Sequence, residues 1–114
     1  MDKDLEFRTR RFSVKLIQHL ARLPRSPAAD VLARQLLRSG TSVGANYREA
    51  NRAVSRAEFA NKIGIVQKEA SETQYWLELF QESGLDTSKA LVDLHEEATE
   101  LLAIFTTIGR KLKS

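Results

Sequence analysis

The side chains in this sequence that could do acid–base chemistry are glutamates at helical spacing. Glu69 and Glu72 stand three residues apart, and Glu49 lies one helical segment earlier, beside Asn46. Paired carboxylates can act as general acid and base when their environments separate their pKa values. The same residue types also form polar layers between helices, where they pair with arginines or backbone groups. The sequence favours such a structural layer, whose members we predict to be Ser42, Asn46, Glu49, Glu69, Glu72 and Trp76.

The sequence lacks the usual motifs of metal sites, cofactor sites and catalytic nucleophiles. A di-iron site in a helical bundle needs Glu-x-x-His pairs, but Leu16 and Val92 stand three residues before the two histidines, His19 and His95. The zinc-protease motif His-Glu-x-x-His fails because Thr99 occupies the second histidine position. No glycine-rich phosphate loop is followed by Lys-Ser or Lys-Thr. We therefore predict a protein that is not an enzyme and has no catalytic residues, metal or cofactor.

Composition sets the class of protein. The chain has 114 residues, of which 42% are hydrophobic and 29% are charged, so it fits one domain, residues 1–114, with a substantial core. It has no cysteine, and its charged N-terminus lacks the apolar region of a signal peptide. No apolar run approaches the ~20 residues of a membrane span. These features predict a soluble cytoplasmic protein with no membrane association.

Apolar residues in steps of three and four predict four helices that could position these side chains. The first covers roughly residues 4–22 and stops before Pro24. The second begins near Ser26, with Pro27 at its first position, and its pattern continues to Ala53. It contains Gly40 and Gly44, each of which costs ~1 kcal/mol relative to alanine inside a helix. A break near Gly40 is the alternative to one continuous helix.

The last two helices have clear boundary signals. Ser55 and Glu58 form a capping box before the third helix, and Ser83-Gly84 ends it. Asp86 or Thr87 is expected to cap the fourth helix. Because four amphipathic helices are joined by short turns, we predict an all-α fold, an antiparallel up-down-up-down four-helix bundle.

Charge is distributed unevenly between the two halves of the chain. Residues 8–56 contain eleven Arg and Lys against two acids, whereas residues 57–100 contain three Lys against ten acids. This asymmetry predicts either complementary pairing between helices or subunits, or a basic face for a polyanion. In the second case, the candidate nucleic-acid-binding residues are Arg8, Arg11, Lys15, Arg22, Arg25, Arg34 and Arg38.

Three segments of the sequence together resemble a known family. They are Ser42-Val-Gly-Ala-Asn46-Tyr-Arg-Glu49, Ser55-Arg-Ala-Glu58-Phe59, and Lys68-Glu69-Ala-Ser-Glu72-Thr-Gln-Tyr-Trp76. The family is that of the four-helix-bundle proteins first associated with intervening sequences in bacterial 23S ribosomal RNA genes. The resemblance implies a ring-shaped homopentamer. It also implies kinship with accessory proteins of diversity-generating retroelements, which are thought to bind nucleic acid and a reverse transcriptase. Ala50 departs from the glycine found there in many members.

Two functions remain open at this point. The first is a homo-oligomeric module, expected to be a pentamer, that binds RNA or DNA through the basic surface. The second is a scaffold that binds a protein partner and has no nucleic-acid role. Apolar residues outside the main stripes, Val14, Ile65 and Leu79, support self-association in either case.

Overall fold

The computed structural model describes residues 2–113 of the chain, with the side chains of residues 4–113. This part of the chain is helical and contains no strand. Its helices are α1 (Asp2–Ala21), α2 (Pro27–Ala50), α3 (Arg56–Glu82) and α4 (Lys89–Lys113). The predicted all-α class is confirmed. Helix α2 is continuous through both of its glycines, but it ends at Ala50 rather than near Ala53.

Serine side chains begin three of the helices. The Ser26 hydroxyl accepts a hydrogen bond from the Ala29 N–H, and the Ser55 hydroxyl accepts one from the Glu58 N–H, both at 3.1 Å. The fourth helix differs from the prediction, because the Ser88 hydroxyl, not Asp86 or Thr87, accepts from the N–H three residues later, at 3.2 Å. Such caps satisfy backbone donors that have no partner within the helix.

The helices form a closed ring in the order α1, α2, α3, α4, and within the described residues each packs against its two neighbours in that order. Short turns connect them, so successive helices run antiparallel in a bundle 44 Å long and about 22 Å wide. Side chains from all four helices fill the centre, including Phe12, Tyr47, Leu77 and Phe105, each at most 2% exposed. The α1–α4 seam is the least closely packed of the four. That seam therefore leaves a groove at the surface.

Glycines allow α1 to lie close to α2. A Cβ atom on Gly44 would stand 3.3 Å from the Cβ of Thr9, and one on Gly40 would overlap the buried side chain of Leu16. The small residues of α2 thus permit a close approach by another helix, and that helix is α1. On the other side of α2, the hydroxyl oxygens of Ser39 and Thr73 lie 3.0 Å apart in the core.

Candidate nucleic-acid interface and polar layer

Four of the predicted cations lie along the α4 side of α1. Arg11, Lys15 and Arg22 line a groove of about 560 Å³ whose opposite wall is formed by α4. Arg8 lies near the same groove and reaches the α4 wall directly. That wall carries carboxylates: Asp93, Glu96, Glu97 and Glu100. The basic row of α1 therefore faces an acidic row within the same chain.

Arg8 is an intramolecular partner of this acidic wall. Its Nε and Nη2 donate to the two oxygens of Glu97 at 2.7 and 2.9 Å, and Nη2 also donates to Glu100 at 2.6 Å. The hydrogen bond with Glu97 raises the pKa of Arg8 above its ordinary value, although partial burial opposes the shift. A bidentate pair of this kind is stronger than a single contact. Arg8 thus binds two carboxylates of the groove, although its single charge offsets only one of them.

The rest of the acidic wall is also largely engaged. Lys89 Nζ donates to Asp93 at 2.6 Å, and this hydrogen bond raises the pKa of Lys89. Glu96 is exposed and forms no direct hydrogen bond or ion pair with another described residue. The wall therefore retains one carboxylate without a cation in direct contact.

Arg11, Lys15 and Arg22 remain exposed and have no carboxylate partner within the described chain. We call these three residues the cationic row. The guanidinium carbon of Arg11 lies 5.9 Å from the centroid of the Phe7 ring, a distance at which the cation and the aromatic face attract. The row begins at Arg11 on α1 and ends at Arg22, the residue that follows the helix, a length of ~16 Å at the usual helical rise per residue.

The other predicted cations lie elsewhere, so the seven do not form one surface. Arg25 Nη2 donates to Asp30 at 3.2 Å, and this contact raises the pKa of Arg25. Arg34 is exposed on α2 and lines a separate groove beside α1. Arg38 lies at the α2–α3 seam, on the opposite side of the bundle from the cationic row, and pairs there with Glu69.

The predicted polar layer lies along the α2–α3 seam, where its side chains are partly exposed. Arg38 donates to Glu69 at 3.3 Å and also to Glu72, whose carboxylate accepts from Trp76 Nε1 at 3.2 Å. Asn46 Nδ2 donates to the Ser42 carbonyl at 2.9 Å. One arginine that the sequence assigns to nucleic acid thus holds two glutamates of the layer.

Glu49 belongs to the same seam but has a different partner. Lys62 Nζ donates to Glu49 at 2.7 Å, and this contact lowers the pKa of the carboxyl group. The nearby arginines of the α2–α3 turn bind backbone instead, since Arg52 donates to the Arg48 carbonyl at 3.1 Å and Arg56 to the Leu112 carbonyl at 3.2 Å. The three acids of the layer are therefore all engaged by cations.

Each histidine meets one carboxylate. His19 Nε2 lies 2.5 Å from Asp86 Oδ2, and His95 Nε2 lies 2.9 Å from Glu78 Oε2. Among the described side chains, no three acidic or histidine residues come together in a geometry that would hold a metal ion. No helix within residues 2–113 is long and apolar enough to cross a membrane.

Sequence reasoning missed two exposed arginines. Arg10 and Arg48 line a groove of about 490 Å³ between α1 and α2, together with Phe7 and Ala45. A signal for this groove was present, because Phe7, Arg10, Val14 and Ile17 follow steps of three and four on a side of α1 separate from its buried stripe.

The fold and these surfaces define an all-α bundle protein with internally paired charges and a residual cationic side. Residues 4–107 match the family model described as 23S rRNA-intervening sequence protein. The match extends over most of the chain, which therefore belongs to this family, as the sequence segments predict.

A solved structure supports the same assignment. A protein with unknown function from the S23 ribosomal protein family of Bacteroides thetaiotaomicron VPI-5482 is 38% identical to this chain, with a TM-score of 0.83. The alignment covers 91% of this chain and 96% of that one. A comparison with curated proteins found no match.

Proposed function

We propose that this protein is a homo-oligomeric, non-catalytic module that binds RNA or another nucleic acid through the cationic row of α1. The observation that supports this proposal is which charged side chains of the groove have no partner of opposite charge among the described residues. Glu97 and Glu100 are held by Arg8, and Asp93 by Lys89. Counted with Arg8 and Lys89, the groove has five cations against the four carboxylates of its α4 wall, which leaves a net charge of +1. Within the described chain, the three cations of the cationic row are the ones without a carboxylate partner.

Phosphate contact is the chemistry that such a row supports. Exposed arginine and lysine side chains on a helix can each neutralise a backbone phosphate and release a counterion. Contacts of this kind position a nucleic acid without reading its sequence. The proposed binding is therefore tolerant of sequence and strongly dependent on salt. The cytoplasm, where cellular RNA resides, is the proposed compartment.

Self-association would multiply these contacts. The family resemblance supports a homopentamer, and the outward side of α3 carries partly exposed apolar side chains, Ile65, Tyr75 and Leu79. In a ring the cationic row repeats on every subunit, so individually weak contacts combine through multivalency. Light scattering is expected to give a multiple of the 12.9 kDa chain mass, five chains being the proposed state. A monomer across micromolar concentrations would contradict it.

The non-catalytic part of the proposal rests on the glutamates of the polar layer. Glu69 and Glu72 are held by Arg38, and Glu49 is held by Lys62. The contact with Lys62 lowers the pKa of Glu49, and a carboxylate kept ionised in this way is a poor general acid near neutral pH. These contacts favour a role in packing the α2–α3 seam.

The decisive experiment measures mass and RNA affinity on one sample of the Arg11→Glu/Lys15→Glu variant. Lys68→Glu/Arg110→Glu is the matched control, since it changes net charge equally at two exposed cations of α3 and α4 that have no carboxylate partner in the described chain. We expect the first variant to keep its mass and lose affinity equally for unrelated sequences, and the control to lose much less.

Two outcomes would redirect the interpretation. An intact oligomer with unchanged affinity would remove the cationic row from the nucleic-acid surface and favour the protein-binding scaffold. A dissociated oligomer would place Arg11 and Lys15 at a subunit interface, paired with acids of a neighbouring copy.

A further inference from the structure

The outer side of α1 carries a second apolar stripe, which no other helix of the described chain covers, although the Arg11 guanidinium lies against Phe7. Phe7, Val14 and Ile17 are 65%, 41% and 48% exposed, although each is a large apolar side chain. With Arg10 and Ala21 they follow steps of three and four along α1. An apolar stripe rimmed by polar residues is typical of a surface that binds a partner.

Helix α2 extends this stripe into a broader face. Arg10 lines one groove with Ala45 and Arg48, and Ala21 lines another groove, of about 330 Å³, with Arg34. Leu37, one turn beyond Arg34 on α2, is 37% exposed. We name this surface the α1–α2 face and define it by Phe7, Arg10, Val14, Ile17, Arg34, Leu37 and Arg48.

The rim of the α1–α2 face is cationic. Arg10, Arg34 and Arg48 are exposed and have no carboxylate partner among the described residues. The two acids that line its grooves are already engaged, because Glu6 accepts from Asn51 Nδ2 at 2.8 Å and Asp30 accepts from Arg25. Because Asn51 is neutral, Glu6 keeps its negative charge, which the three rim arginines exceed. The face therefore joins an apolar centre to a rim of net positive charge.

We propose that the α1–α2 face docks an amphipathic helix of a protein partner whose apolar ridge is flanked by Asp and Glu. The stripe runs from Phe7 to Ala21, a length of ~21 Å that matches about four turns of a docked helix. Helices bind such surfaces through apolar anchors at steps of three and four, while flanking charges select the partner.

A second copy of this chain is the less suitable occupant. Two copies meeting face to face through this surface would bring the rim arginines together, and like charges in contact oppose association. In a ring, the face would instead meet a different face of the neighbouring copy. The carboxylates that could compensate them are mostly held by internal partners, such as Arg8 and Arg38. The proposal is independent of nucleic-acid binding, because the cationic row lies on the α4 side of α1.

Three synthetic peptides of eighteen residues test the proposal by fluorescence anisotropy with the full chain. One has a leucine ridge flanked by glutamates, the second has lysines in place of the glutamates, and the third keeps the glutamates but has alanines in place of the leucines. We expect only the first to bind at physiological salt. Val14→Ser/Ile17→Ser should weaken its binding about tenfold or more, since buried apolar anchors dominate such interfaces.

Reversing the charge of two rim arginines tests whether the rim selects an acidic partner. Arg10→Glu/Arg48→Glu should abolish binding of the glutamate peptide and create binding of the lysine peptide. Lys15→Glu/Arg22→Glu makes the same change in net charge at two residues that line only the α4-side groove. It should leave peptide binding intact, so failure here is distinct from failure of the nucleic-acid proposal. Equal binding of all three peptides would overturn the inference. So would no peptide binding combined with a loss of oligomer mass in Val14→Ser/Ile17→Ser, because the face would then lie between copies.

Discussion

The Nε2 atom of His19 lies 2.5 Å from the Oδ2 atom of Asp86, joining the last turn of α1 to the turn that precedes α4. Asp86 also accepts from the Ser88 N–H at 3.0 Å and from the Ser88 hydroxyl at 2.7 Å. Its side chain is only 6% exposed. Burial raises the pKa of Asp86, but the hydrogen bonds from Ser88 and His19 outweigh burial, so the net shift is downward.

Asp86→Asn is expected to destabilise the bundle at neutral pH. A buried group that loses its hydrogen-bond partners costs ~1–3 kcal/mol. Because the folded pKa of Asp86 lies below its unfolded value, near 4, its ionised form stabilises the fold above that pH. This contribution is lost as pH falls through the folded pKa. Melting temperatures measured from pH 6 down to pH 2 should therefore show the wild-type advantage shrinking below about pH 4.

Asp93→Asn provides the control, since Asp93 pairs with Lys89 at the surface, where its side chain is 55% exposed. Exposed pairs of this kind contribute little to stability. An Asp86→Asn variant as stable as Asp93→Asn at pH 7 would contradict the structural importance of the His19–Asp86 contact.

Alanine should have opposite effects at two helical glycines. Gly40→Ala places a methyl group against the fully buried Leu16, and overpacking costs ~1–3 kcal/mol. The ~1 kcal/mol advantage of alanine in helix propensity does not offset it fully. Gly64→Ala meets no atom of the described chain within 4 Å and is expected to stabilise by about 1 kcal/mol. Urea unfolding of both variants measures the difference, and equal stability would mean that Leu16 moves aside freely.

Glu69→Ala tests the polar layer. Glu69 is 15% exposed and accepts from Arg38, which keeps Glu72 as a partner after the change. The expected loss is about 1 kcal/mol, because Arg38 is itself half exposed. Thermal unfolding and light scattering should detect a lower melting temperature or a changed mass. Glu82→Ala, an exposed position on the same helix, should change neither.

A different outcome for Glu69→Ala would favour the acid–base hypothesis. If stability and mass stayed unchanged while a detected catalytic activity disappeared, the glutamates of the α2–α3 seam would belong to an active site.

The helices were predictable because burial follows apolar periodicity. Phe12 and Leu16 on α1, and Leu94 and Leu101 on α4, are buried as their spacing predicts. The end of α2 was less predictable. Ala53 continues the periodic pattern, but backbone hydrogen bonds from residues 51–53 already run to carbonyls three or four residues back, forming a turn. Periodicity describes which face is buried and says little about where a helix stops.

The charged surface could be predicted only in part. Arg8 fits the basic row of α1 by spacing, yet its partner Glu97 lies 89 residues away in sequence. Likewise, Arg38 meets Glu69 across the α2–α3 seam. Helical spacing assigns a residue to a face of its own helix, whereas its partner depends on which helix packs beside that face and at what register. The cationic row could therefore be recognised only once α4 was placed.

The last prediction concerns the acidic wall that faces the cationic row. In Glu97→Gln/Glu100→Gln, two negative charges disappear and Arg8 loses its ionic partners. If the row binds phosphates, RNA affinity should rise, and the slope of log affinity against log salt should steepen by roughly 0.7–0.9 for each additional phosphate that the protein neutralises. Arg8→Gln should do the reverse, because it exposes Glu97 and Glu100 to the bound polyanion. Glu69→Gln/Glu72→Gln changes net charge equally and frees Arg38 on the opposite seam, so its effect should be much smaller. Filter binding at several salt concentrations measures all three variants, and a Glu97→Gln/Glu100→Gln protein whose affinity does not exceed that of the control would show that nucleic acid does not approach this groove.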